Sequence, residues 1–158
     1  SNPALSEEKQ KECADAGKAI RLLLERDIKP SDIMTRKAFE NAVIVASAIG
    51  GSSNCTTHLS AIAKHMGIKF DLSNWQKLGH EIPLLVNCQP AGEYLMESFY
   101  RAGGVPAVMQ ELIKNKKIHT NIMTVSGKTV GINLKRKIET DNKVIKTFKI
   151  NIIRNRNI

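Results

Sequence analysis

The chain has 158 residues, of which 42% are hydrophobic and 4% aromatic, so it is long enough for one domain with a core and is not composed like a disordered protein. No apolar run is long enough to cross a bilayer, and the polar, acidic start lacks the basic end and apolar core of a signal peptide. We therefore expect a soluble, cytoplasmic protein, or a mitochondrial one in a eukaryote, with no membrane partner.

The net charge of +9 suggests a nucleic-acid binder at first sight, but its distribution argues against one. Residues 135–158 hold eight basic and two acidic side chains, whereas the rest of the chain is nearly balanced. We expect residues 147–158 to be a divergent, disordered basic tail. Two interpretations of this tail remain open: it is a functional basic arm, or it is a stretch without an evolved partner.

Helical patterns dominate the first half of the chain. Ser6 is placed to cap a helix whose stripe of Cys13, Ile20 and Leu24 predicts one buried face ending at Pro30. An extended link follows at 31–34, and a helix over 36–49 is so apolar beyond Ala42 that it predicts a place in the middle of the structure. A third helix is predicted over 55–66.

The second half alternates short helices with short strands. A helix capped by Asp71 or Ser73 precedes a buried strand at 83–86, and helices follow over 92–104 and from Pro106. Residues 122–134 predict a strand, a tight turn at 126–127 and a helix start. The fold class predicted is α/β, helix-rich with short strands.

A glycine loop, "GGSSN", joins the second and third helices and is the main candidate site. Its glycines allow close approach of a ligand, and free N–H groups at the start of the next helix favour an anion. His58 lies one turn further and is placed to face the same site as Asn54. Spacing alone favours a plain helix joint, with Ser53 or Asn54 as the N-cap.

The other reactive residues form no complete constellation. The cysteines Cys13, Cys55 and Cys88 show no zinc spacing. Their spacing leaves open a cluster held by all three, although a small buried hydrophobe explains Cys13 better. A second glycine loop is placed to bring Cys88 and Glu93 near a site. Lys128, in "TVSGKT", is either an anion contact or a solvated turn residue, because the first glycine of a P-loop is missing.

Five stretches, taken in order, resemble one family. They are "SNPALSEEKQKECADAGKAI", "DIMTRKAFENAVIVASAIGGSSN", "HLSAIAKHMGI", "IPLLVNCQPAGEYLMESFYRAGGVPAVMQEL" and "MTVSGKTVGINL". The family is that of the dihydroxy-acid dehydratases, which includes 6-phosphogluconate dehydratase and the aldonic (sugar) acid dehydratases. The resemblance covers residues 1–146, and Ser53 stands where the family usually has threonine, so a hydroxyl is kept.

The resemblance implies a hydro-lyase that removes water from a 2,3-dihydroxy acid and yields a 2-keto acid. It implies an iron–sulfur cluster on the leaving hydroxyl, a magnesium ion on the carboxylate and the C2 hydroxyl, and a homodimer. The family's cluster cysteines, magnesium ligands and catalytic serine find no matching positions here. We therefore assign no catalytic or metal residue and expect no cofactor on this chain alone.

These implications predict that residues 1–146 form part of a dehydratase N-terminal domain that is inactive alone. The stretches "WQKLGHEIPLLVN" and "RAGGVPAVMQEL" are more similar to the sugar-acid branch, which favours a sugar acid as substrate over a branched-chain acid. A truncated homologue that binds or assembles through its basic tail, and a gene product without function, remain alternatives.

Within the family the glycine loop becomes a wall of the substrate site. The predicted substrate-binding residues are Gly51, Ser52, Ser53, Asn54 and His58.

Overall fold

The computed structural model of the protein describes residues 2–148, and within them the chain forms eight helices. They are α1 (Glu7–Glu25), α2 (Pro30–Ile33), α3 (Arg36–Ile49), α4 (Asn54–His65), α5 (Leu72–Gly79), α6 (Met96–Arg101), α7 (Gly104–Lys114) and α8 (Val130–Asn133). Of the tail predicted at 147–158, residues 149–158 lie outside the described part. Its boundary therefore stays a prediction.

Helix α3 lies at the centre of the fold, as its nearly all-round apolar sequence predicts. Its start is capped by Thr35, whose hydroxyl accepts a hydrogen bond from the backbone N–H of Ala38 at 3.4 Å. One of its faces buries Phe39 in a cluster with residues of α4 and α5, and another buries Ala48 in a larger cluster with α6 and α7. Leu78 of α5 packs against both clusters and joins them into one core.

The larger cluster is closed by the last described segment, which follows α8. Val144, Ile145 and Phe148 are buried there at 3%, 3% and 7% exposure. The backbone N–H of Phe148 donates to Glu111 Oε1 at 3.0 Å, and the Lys117 ammonium lies 5.7 Å from the centre of the Phe148 ring. Val144, Ile145 and Phe148 are therefore part of the core, whereas Asp141, Asn142 and Lys143 of the same segment are exposed.

The helix-rich part of the predicted fold class is confirmed, whereas its α/β character is not. Among residues 2–148 the only β pairing consists of three isolated bridges, namely Val86–Ile145, Cys88–Tyr94 and Met123–Thr129. In the predicted strand at 83–86 only Val86 takes part in a β-bridge, and Leu85 donates its backbone N–H to Ala48 of a helix, at 2.7 Å. A segment with one helical neighbour and one bridged neighbour does not extend into a ladder.

The predicted buried face of α1 is wrong. No residue of α1 is buried, Cys13 is exposed, and Ile20 and Leu24 are 61% and 77% exposed. Helix α1 instead contacts the rest of the protein through an adjacent side, where Leu22 lies against the turn at Gly127. Although α1 is the longest of the helices in residues 2–148, none of them combines the length and apolarity needed to span a membrane.

Pro30 begins a helix instead of ending one. Helix α1 already ends at Glu25, and the link predicted to be extended forms the single turn α2. Proline suits the first helical position because its missing N–H has no partner there. The Asp32 carboxylate secures this turn by accepting the backbone N–H of Lys29 at 2.8 Å.

Candidate functional site

The glycine loop is built by the end of α3. Gly50 ends that helix in the left-handed conformation, at φ 67°, and Gly51 donates its N–H to the carbonyl of Ala46 at 2.8 Å. A Cβ on Gly51 would lie 3.2 Å from the same carbonyl oxygen. The left-handed conformation favours glycine at Gly50, and the close approach of the Ala46 carbonyl favours a residue without a Cβ at Gly51.

The first backbone N–H groups of α4 donate hydrogen bonds to residues of the loop that precedes the helix. Ser52 Oγ accepts the N–H of Asn54 at 3.2 Å, and the carbonyl of Ser52 accepts the N–H of Cys55 at 3.0 Å. Ser53 occupies the N-cap position, but its side chain makes no capping hydrogen bond, and its carbonyl accepts the N–H of Thr56 at 3.1 Å. The N–H groups of residues 54–56, which were expected to be free, are thus already paired and are not available to bind an anion.

The predicted site residues lie together along this loop and the first turn of α4. Gly51, Ser52, Ser53, Asn54 and His58 are all exposed. Asn54 and His58 are four residues apart on α4 and therefore share a face. The loop presents hydroxyl, amide and imidazole groups to solvent, and these are groups that can bind a carboxylate or a hydroxyl.

One apolar side chain next to the loop was missed by sequence reasoning. A Cβ on Gly50 would lie 2.8 Å from Cδ1 of Leu84, so this leucine lies against the glycine loop although 34 positions separate the two residues. Leu84 is 39% exposed. No local pattern could have found it, because the contact depends on how the 82–86 segment crosses the end of α3.

The second glycine loop is closed on itself and does not direct its cysteine outward. Asn87 Oδ1 accepts the backbone N–H of Glu93 at 3.3 Å, and Gly92 approaches the backbone of Asn87 so closely that any Cβ would clash. Cys88 is buried, and its Sγ donates to the carbonyl of Leu95 at 3.7 Å. Burial raises the pKa of the Cys88 thiol, which makes it a poor nucleophile at neutral pH.

The turn containing Lys128 is also held by local hydrogen bonds. Thr124 Oγ1 donates to the carbonyl of Lys128 at 2.8 Å and accepts the side-chain amide of Asn133, also at 2.8 Å. Gly127 closes the turn at φ 67°. The Lys128 side chain is exposed, which agrees with a solvated turn residue.

A polar cluster on α3 connects residues far apart in the sequence, and the sequence did not reveal it. Glu40 lies 2.7 Å from His119 Nε2 through one carboxylate oxygen and accepts Arg36 Nε at 3.2 Å through the other. The buried side chain of Asn41 exchanges two hydrogen bonds with the backbone of His119, each 2.8 Å long. This cluster attaches the segment after α7 to α3, and the spacing of 78 residues between its halves leaves no local signal.

The described residues do not fit the iron–sulfur cluster and the magnesium ion that the resemblance implies. Within residues 2–148, no group of three His, Cys, Asp or Glu side chains could hold a metal ion. Cys13 lies on α1, Cys55 on α4, and Cys88 is buried and hydrogen-bonded to a carbonyl. We therefore assign no ligand of either group to these residues.

Comparison with known proteins places the chain in a family. Residues 1–133 match the N-terminal region of the dihydroxy-acid/6-phosphogluconate dehydratases. The dihydroxy-acid dehydratase of Flavobacterium psychrophilum is 55% identical over 134 residues, which are 85% of this chain and 24% of the relative. The enzyme of the same name from Lactococcus lactis strain IL1403 is 44% identical, over 89% of this chain and 25% of the relative. The mitochondrial dihydroxy-acid dehydratase of Aspergillus fumigatus is 45% identical, over 92% and 24%.

The matches cover most of this chain but only a small part of each relative. The chain spans about a quarter of the length of these curated relatives. The matched region contains the glycine loop, the centre of the fold and the second glycine loop. Because the family match covers most of its residues, the chain belongs to the dihydroxy-acid/6-phosphogluconate dehydratase family.

Proposed function

We propose that this chain contributes to a hydro-lyase that converts 2,3-dihydroxy acids into 2-keto acids. The observation that carries the proposal is the family match over residues 1–133, which includes the exposed polar glycine loop. The three relatives described above are named dihydroxy-acid dehydratases, so the leaning toward a sugar-acid substrate gains no support. The homodimer that the resemblance implies is part of the proposal.

The role of this chain in that reaction is substrate binding. Ser52, Asn54 and His58 offer a hydroxyl, an amide and an imidazole on one exposed stretch of chain, and such groups hydrogen-bond a carboxylate and its neighbouring hydroxyls. We assign them to holding and orienting the acid. No proton transfer is assigned to His58, since no partner in the described residues orients its ring.

A chimaeric enzyme tests the activity. This chain would replace the matching segment of 134 residues in the dehydratase of Flavobacterium psychrophilum, and keto-acid formation would be measured with the purified protein. We expect turnover of a branched 2,3-dihydroxy acid by a dimer, with the dimer checked by sedimentation. A folded chimaera that makes no keto acid would contradict the proposal.

Two histidines on the same helix provide a matched pair for the binding role. His58→Ala in the chimaera removes a hydrogen bond to a charged group, worth about 1.5–3 kcal/mol, and should raise KM by about tenfold or more. His65→Ala changes the same residue type two turns along α4, where the side chain is also exposed, and should leave KM unchanged. Equal effects of the two substitutions would refute the assignment of His58.

A further inference from the structure

We propose that Leu84 determines specificity at the candidate site by selecting an acid whose chain beyond C3 is alkyl and not hydroxylated. The inference rests on the proposed function, because it concerns the acid that the glycine loop would bind. Its own basis is the contact between the loop and one partly exposed leucine, which neither the family match nor the names of the relatives assign to any role.

The place of Leu84 is fixed by its neighbours in the chain. Pro83 and Leu85 on either side are buried, and Leu85 donates its N–H to the carbonyl of Ala48 in the last turn of α3. On the other side of the segment, the carbonyl of Leu85 accepts the N–H of Lys146 at 2.8 Å. The backbone of Leu85 is thus hydrogen-bonded on both sides, and the side chain of the preceding residue, Leu84, packs against Gly50.

Leu84 lies within reach of the polar groups of the loop. Gly50 and Ser52 are two residues apart, so their Cα atoms are separated by at most about 7.6 Å. A small acid whose carboxylate is held at Ser52 can therefore place its other end near Leu84, a residue that is 39% exposed. Polar groups at one end and an apolar group at the other define the orientation of a bound ligand.

This arrangement discriminates by the polarity of the distal end of the substrate. An alkyl end loses contact with water when it packs on the leucine methyl groups, which is favourable. A hydroxylated end would lose hydrogen bonds to water there, and a leucine side chain has no donor or acceptor that could replace them. A difference of one methylene in such a contact corresponds to about tenfold in affinity at the low end of the usual range.

The test measures binding to the full 158-residue chain, without catalysis. The isotope-labelled chain would be titrated with 2,3-dihydroxy-3-methylbutanoate and, separately, with threonate, and the backbone amide signals of residues 50–54 would report each dissociation constant. We expect the branched acid to bind about tenfold more tightly than threonate. Leu84→Asn and Leu84→Ala should both reduce this ratio toward one, whereas Leu84→Met should retain it.

Leu72→Asn is the matched control, because Leu72 is an exposed leucine on α5, at 69% exposure, and should leave the ratio unchanged. An unchanged ratio in folded Leu84→Ala or Leu84→Asn would overturn the role of Leu84 while leaving the binding loop intact. If neither acid shifts the amide signals of residues 50–54 in the unmodified chain, both the proposed loop and this inference are overturned. The two failures are therefore distinguishable.

Discussion

Replacing Gly50 by alanine should destabilise the protein through two separable effects. At φ 67° an alanine pays the left-handed backbone cost of about 1–2 kcal/mol. Its Cβ would also lie 2.8 Å from Leu84 Cδ1, and moving that side chain off its rotamer costs about 0.5–1.5 kcal/mol. The free energy of unfolding should therefore fall by about 1.5–3.5 kcal/mol, as measured by urea denaturation at constant pH.

Two other glycines separate these effects. Gly67 has φ 72°, and a Cβ added there would meet nothing within 4 Å, so Gly67→Ala should show the backbone cost alone. Gly17 lies within α1, also with open space around it, and Gly17→Ala should stabilise the protein by about 0.5–1 kcal/mol. In a double-mutant cycle, Leu84→Ala should recover the steric part of the Gly50→Ala loss.

The decisive comparison is between Gly50→Ala and Gly67→Ala. If both lose the same free energy and Leu84→Ala shows no coupling to Gly50→Ala, then Leu84 does not pack on the glycine loop. That result would refute the steric contact and would also remove the geometric basis of the specificity proposed for Leu84.

Three further substitutions or treatments test other parts of the fold. Asn41→Ala should lower the free energy of unfolding by about 2–3 kcal/mol, because it leaves the backbone groups of His119 without their partner; a loss below about 0.5 kcal/mol would contradict this network. An alkylating reagent should modify the exposed Cys13 well before the buried Cys88, as mass spectrometry of the digested protein would show. Burial raises the pKa of Cys88 in the folded state. The stability that this thiol contributes should therefore be complete below the usual thiol range and decline as pH rises through the folded-state pKa. Urea denaturation at a series of pH values should show this decline in the unmodified protein but not in Cys88→Ala.

Local signals predicted most of the helices because they depend on residues that are close in sequence. Thr35 caps α3 and Asp71 caps α5, and in both cases the side chain accepts backbone N–H groups two or three residues ahead. The apolar pattern of 36–49 predicted both the bounds of α3 and its central position. The turn at 126–127 followed from its Ser-Gly pair, and Gly127 indeed adopts a positive φ.

The errors arose where the environment of a segment decided the outcome. The stripe of Cys13, Ile20 and Leu24 on α1 has helical spacing, yet in residues 2–148 nothing covers it, since periodicity shows which side chains share a face but not what packs on that face. The segment at 83–86 has the composition of a strand, but its hydrogen-bond partners are a helix carbonyl and a single bridge.

The sequence by itself determined the family, most of the helices and the polar character of the glycine loop, because motifs, caps and glycine conformations are properties of neighbouring residues. Only the tertiary structure decided that Leu84 lies on this loop, that Cys88 faces the core, and that His119 is joined to Glu40 and Asn41. The contacts of Leu84 and His119 join residues 34 to 79 positions apart, and their formation depends on how helices and extended segments pack together, which no short stretch of sequence encodes.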